Sequence, residues 1–184
     1  MKKWILILSI MLICCFGSVL IARAEEDFDF RKARWGMTIE EIQKTETAHF
    51  FEKDIKKGIL IYTEKLLDEE CAIVYNFKKG KLTHCNYLFF NIEDENSKLM
   101  FNTIDKQLSK KYTKEENPSS HLKIIEIYNN DRSHIVLASL KSEKGGRNIA
   151  VTYKEKNFYQ DECDEENKKR MDDEKRRKKD LEMF

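Results

Sequence analysis

Catalytic signatures are missing from this sequence. It has no Gly-x-Ser-x-Gly elbow, no phosphate-binding loop and no dinucleotide fingerprint, the short motifs that announce acyl, phosphoryl or hydride transfer. His-x-x-x-His and Cys-x-x-Cys spacings are absent too, so no local metal-ligand pair is written into one element. One proline and six glycines in 184 residues leave no low-complexity linker. Excess charge of either sign is lacking as well, with 34 basic residues against 33 acidic ones. A nucleic-acid partner needs a net basic surface and is not expected.

The N-terminus carries what the rest lacks, a long uncharged run. Lys2 and Lys3 precede the apolar stretch from Trp4 to Phe16, Gly17 and Ser18 interrupt it, and Ala22-Arg23-Ala24 supplies small residues at the spacing a signal peptidase reads. Residues 1–24 are therefore expected to be a secretory signal, with cleavage before Glu25. An uncleaved membrane anchor is the other reading, because Trp4 to Ala22 approaches the roughly 20 apolar residues of a spanning helix. A lipid-modified cysteine is disfavoured: Ile13 precedes Cys14 and Cys14 precedes Cys15, where a lipobox requires a small residue. Beyond the signal remain Cys71, Cys85 and Cys163, an odd number that cannot all pair within one chain. Stability is expected from an apolar core and not from cross-links.

Residues 25–159 are expected to form one α+β domain. Phe28 and Phe30 alternate with charges in a short lead-in. Met37-Thr38-Ile39-Glu40-Glu41-Ile42 then reads as a helix start, with Thr38 as N-cap and Glu41 closing a capping box; the helix should run to about Thr47. Period-two alternation over Gly58–Leu67, Glu70–Lys78 and Lys81–Asn91 predicts three antiparallel strands, the last two joined by a tight turn at Lys79-Gly80. A second helix follows from Asp94 to Tyr112, with Leu99, Phe101, Ile104, Leu108 and Tyr112 as its apolar stripe. Pro118 punctuates the exit, and strands are expected over His121–Tyr128, Ser133–Lys141 and Arg147–Tyr153. The order, helix then three-stranded meander, occurs over residues 35–91 and again over 92–159. Two such repeats would join into one antiparallel sheet with both helices on one face. Residues 160–184 are almost wholly charged, with acidic residues placed ahead of basic ones at i,i+4, and predict a solvated helical or disordered tail.

Trp35-Gly36-Met37-Thr38-Ile39-Glu40-Glu41-Ile42 and Tyr75-Asn76-Phe77-Lys78-Lys79-Gly80-Lys81-Leu82 resemble the helix start and the strand–turn–strand element of small envelope proteins with the BamE-like (SmpA/OmlA-type) fold. Similar duplicated units are found in secreted β-lactamase-inhibitor proteins. The chain departs from that pattern where Thr45-Glu46-Thr47-Ala48-His49 replaces the usual Leu-Gly-x-Pro. The resemblance implies a binding or scaffolding role without catalytic machinery or cofactor.

Residues able to carry chemistry are few. Cys71, His84 and Cys85, near Glu69 and Glu70, are the best candidates for a metal or thiol site. A two-residue turn at Lys79-Gly80 would pair Val74 with Cys85 and Cys71 with Leu88, placing the two cysteines on opposite faces, whereas a one-residue bulge would reverse this. A turn at Asn130-Asp131 would pair His134 with Ile127. Trp35, Tyr87, Phe89 and Phe90 are candidates to line an interaction surface, although alternating aromatics more commonly pack a core, and Trp35 suits a core plug. The reading that follows is an exported, non-catalytic module with an envelope protein as partner, working through a sheet face or edge strand. The alternative is an exported small-molecule or metal binder, or an enzyme, built on Cys71, His84 and Cys85.

Overall fold

A computed structural model describes residues 28–115 and 124–181. The expected signal, Pro118 and His121 lie outside the described residues. The described residues are α+β: one eight-stranded antiparallel sheet with three helices. In chain order these are α1 (Ile39–Thr45), β1 (His49–Asp54), β2 (Ile59–Leu66), β3 (Glu69–Lys78), β4 (Lys81–Ile92), α2 (Asp94–Lys111), β5 (Thr113–Glu115), β6 (Ile124–Asn129), β7 (Ser133–Lys141), β8 (Arg147–Glu155) and α3 (Lys156–Leu181). The sheet order is β1-β2-β3-β4-β8-β7-β6-β5.

α1 begins where its capping residues dictate. Thr38 Oγ1 accepts from the Glu41 N–H at 3.3 Å, and Glu41 Oε2 accepts from the Thr38 N–H at 2.8 Å, so two amides of the first turn that lack helical partners are satisfied. The helix stops at Thr45, two residues short of the sequence expectation, because Glu46 turns extended and sends its carboxylate inward. Thr38→Ala should cost about 1 kcal/mol; urea unfolding of the purified chain would check this, and a loss below a few tenths would show that the cap is dispensable.

The β3–β4 hairpin turns at Lys79 and Gly80, both at positive φ, a two-residue turn of the primed kind whose twist matches the strands. Lys78 faces Lys81 as expected, but the register slips between Asn76 and Phe77. The expected pairings of Val74 with Cys85 and Cys71 with Leu88 are corrected to Val74 with Asn86 and Cys71 with Phe89, while Tyr75 faces Cys85. The extra residue, Thr83, is unpaired in that ladder, as in a β-bulge. At the next hairpin the turn is longer than expected, the Asn130 N–H donating to the Ser133 carbonyl, and His134 faces Asn129 instead of Ile127.

Two strands were not expected. β1 is almost fully exposed, and β5 has three residues; both lie at the edges of the sheet, where no buried face imposes alternation. A further correction concerns one residue of the α2 stripe: Leu99 is 70% exposed, whereas Phe101, Leu108 and Tyr112 are buried as expected, Ile104 packs against the core, and Ser97 and Met100 are buried beside them. The charged tail is helical from Lys156, directly after β8.

The core lies on one side of the sheet. Leu60, Tyr62, Ile73, Tyr75, Cys85, Phe89, Tyr128, Ile135, Leu137, Ile149 and Val151 are buried there, on facing positions of neighbouring strands. Both early helices reach this side. Glu46, just after α1, takes a hydrogen bond from the Tyr75 hydroxyl, and Asp105 of α2 takes one from the Tyr128 hydroxyl. The lead-in fills the gap between them: Phe30, 3% exposed, packs its ring against Tyr75, Tyr87 and Tyr153. Phe30 is thus the core plug. Trp35 is half-buried and donates from Nε1 to Ser133 Oγ at 3.1 Å, tying the lead-in to the start of β7.

Candidate functional site

The sequence-derived metal or thiol candidates do not converge. Cys71 and Cys85 share the covered face once the bulge is counted, but they pair with Phe89 and Tyr75 respectively, four residues apart along the ladder, or about 13 Å. A disulfide needs Cα atoms within about 7 Å, and both thiols are free. Burial pushes the Cys71 thiol up to about 12 and the Cys85 thiol well above its ordinary value, so both stay protonated and unreactive. His84 points to the opposite face. Among the described residues no group of three or more His, Cys, Asp or Glu side chains is placed to hold a metal ion.

The aromatic candidates also have definite places. Tyr87 and Phe89 face the covered side, Phe89 being 2% exposed; Tyr87 is half-buried beside the Arg31 guanidinium. Phe90, the next residue, is 55% exposed.

A buried polar network occupies the same side. Arg31 donates from Nε and Nη2 to Glu46 at 2.9 and 3.1 Å, and from Nη1 to Glu64 at 2.7 Å. Glu46 Oε1 also accepts from the N–H groups of Thr47 and Ala48. Every lone pair of the carboxylate therefore has a donor, which keeps a buried charge tolerable. This is a clasp between lead-in, α1 and sheet.

Among the described residues the opposite face of the sheet has no such cover. Register places two rows side by side across β2, β3, β4, β8, β7 and β6: Ile61, Val74, Asn86, Thr152, Val136 and Ile127, then Thr63, Ala72, Leu88, Ala150, Ala138 and Ile125. All are half-buried, none is charged, and none belongs to the core cluster or to the side chains packed against it. A solvated sheet face ordinarily alternates polar residues outward; this one presents mostly methyl-bearing side chains, with the Thr152 hydroxyl donating to Asn86 at 2.8 Å.

A polar row bounds that surface at one end. Asn76, His84, Lys154, His134 and Asn129 lie abreast on β3, β4, β8, β7 and β6, and the first turns of α3 rest on them. Phe158 stacks on His84 with ring centroids 6.0 Å apart, Tyr159 stacks on His134 at 3.8 Å, and Lys154 Nζ meets Glu162 at 2.7 Å. Burial and the neighbouring Lys154 lower the pKa of His84; burial also lowers that of His134, against the pull of Glu115. Neutral imidazoles are thereby favoured under the aromatic rings.

The edges are less suited to strand addition. β1 exposes Phe50 and Phe51, but its ladder is interrupted between Phe50 and Glu52, and Glu52, Lys53 and Asp54 follow at once. Bulges and charges are what keep an edge from pairing with another strand. β5 offers three exposed residues, Thr-Lys-Glu.

Sequence reasoning missed the uncharged face. The signal was present: outward positions of β3, β7 and β8 carry Ala72, Val74, Val136, Ala138, Ala150 and Thr152 where a solvated strand would carry Lys or Glu. Compared with protein-family models, with curated proteins and with solved structures, the chain finds no match.

Proposed function

We propose that this is an exported envelope protein acting as a non-catalytic protein-interaction module, and that the uncharged sheet face is its binding surface. The observation that carries the reading is that face: two uncharged rows spanning six strands, on a chain whose core is complete on the other side. Contiguous apolar surface of this kind, rimmed by polar groups, marks protein-binding sites. The partner presents a flat, neutral, apolar surface, because a charged one would be desolvated there without a counter-charge. Export is supported by the order of charges, apolar run and small residues over residues 1–24.

The fold reading belongs to the same proposal. A helix followed by four strands occurs twice, and the two meanders meet at their last strands, β4 and β8, as a duplicated unit joined about a local two-fold would. The motif resemblance to BamE-like envelope domains points the same way.

Photo-cross-linking tests the surface. A benzophenone side chain placed at Leu88 or Ala138 should yield a discrete adduct with an envelope protein in intact cells, and one at Lys98 on α2 should not. Leu88→Lys should weaken capture at least about tenfold while lowering stability by less than about 1 kcal/mol, the scale of a non-core substitution. Equal adducts from both sides of the sheet, or capture indifferent to Leu88→Lys, would sink the assignment.

A further inference from the structure

We infer that α3 from Cys163 onward is a self-supporting strut, a helix held by its own side chains that stands clear of the sheet. The contacts of α3 with the polar row, from Phe158 and Tyr159 to Glu162, are confined to its first turns, and residues 164–178 are exposed without exception. A helix with no docked face normally frays, because short isolated helices are marginal in water. Here the sequence supplies what packing does not.

Asp164, Glu165 and Glu166 stand four residues before Lys168, Lys169 and Arg170; Asp172, Asp173 and Glu174 stand four before Arg176, Arg177 and Lys178. Each pair has the acid nearer the N-terminus, the better of the two orientations at this spacing. The middle basic block also precedes the second acidic block by four, so Lys168, Lys169 and Arg170 have a carboxylate one turn away on either side. Pro and Gly are absent from the helix. An all-round charged helix laced by such pairs is one of the few ways a helix persists without a partner.

The strut has a fixed base. Two ring stacks, the Lys154–Glu162 ion pair and the Lys156 N–H donated to the Arg132 carbonyl set its direction where it leaves the uncharged face. From Cys163 to Leu181 it extends roughly 27 Å at the usual rise per residue. It therefore holds its far end at a set distance and bearing from that face, as a spacer. The inference does not depend on what the face binds.

Hydrogen exchange on the full chain tests it with two variants that pull in opposite directions. K168E/K169E/R170E turns the i,i+4 pairs on both sides of the block into like-charge pairs and should cut amide protection over residues 166–178 at least about tenfold, leaving the strands unchanged. F158A/Y159A removes the stacks at the base and should leave protection over the same residues within about twofold, since the helix does not need the sheet. Unprotected amides in the unaltered chain at low salt, protection indifferent to K168E/K169E/R170E, or protection lost in F158A/Y159A would each overturn the inference.

Discussion

Phe30→Ala should destabilise the chain by about 3–5 kcal/mol, the usual cost of emptying a phenylalanine site in a close-packed core. The ring is 3% exposed, with centroids 4.7, 5.1 and 5.6 Å from those of Tyr87, Tyr153 and Tyr75. Those tyrosines sit on β3, β4 and β8, strands too rigidly paired to close over the space. The lead-in should also loosen, since its hairpin-like bridge from Phe30 to Ala33 loses its apolar anchor and keeps only polar ones such as the Arg31 clasp and the Trp35–Ser133 hydrogen bond. Urea unfolding with an unchanged denaturant slope would give the number directly. A cost under about 1 kcal/mol would mean that the lead-in is an ornament on a core complete without it.

Glu46→Ala should cost about 3 kcal/mol, the lower end for breaking a buried ion pair, because Arg31 keeps Glu64 at 2.7 Å. The Glu46 side chain is 3% exposed against 18% for Arg31, and the Tyr75 hydroxyl and the N–H groups of Thr47 and Ala48 lose their acceptor as well. The same residue links stability to pH. Burial works against the charge of Glu46, yet the hydrogen bonds from Tyr75 and Ala48 and the charge of Arg31 outweigh it, so the folded-state pKa lies below the ordinary 4.5. A depressed folded value means the contribution is complete above 4.5 and fades as pH falls through the lower folded value. Unaltered protein should therefore lose stability on acidification below about pH 4.5 more steeply than Glu46→Ala. Parallel acid-unfolding curves for the two proteins would contradict the linkage.

Much of the fold is legible in the sequence where side chains alternate about a buried face. β7 spans the residues its alternation predicts, Ser133–Lys141, and β2, β3 and β4 differ by a residue at most per end. The Lys79-Gly80 turn is written in its glycine. What alternation cannot show is a bulge, because the extra residue at Thr83 looks like one more polar position in a strand. That single insertion puts both cysteines on the covered face and their expected partners, Val74 and Leu88, on the opposite one. β1 and β5 stayed hidden because an edge strand exposed on both sides has no burial pattern to betray it. The spacing of Phe101, Ile104, Leu108 and Tyr112 gives the buried face of α2, but Leu99 lies 70% exposed while Ser97 and Met100 are inside, because one turn of an amphipathic helix can be extended either way from the same stripe. The Arg31 clasp was beyond reach, its acceptors lying 15 and 33 residues away with no local spacing to connect them.

β4 ends at Ile92, and the strand beside it, β8, begins at Arg147. During synthesis the first four strands are complete while β4 still has a bare edge, and its neighbour arrives only after α2 and three further strands have been made. That edge has no partner strand until the chain as far as β8 has emerged. Closing the sheet's midline is the most non-local strand pairing among the described residues, and loop entropy must be overcome before any of its hydrogen bonds form. The nascent chain is most exposed to strand addition by other chains in that interval, at a seam which the finished protein no longer presents to anything.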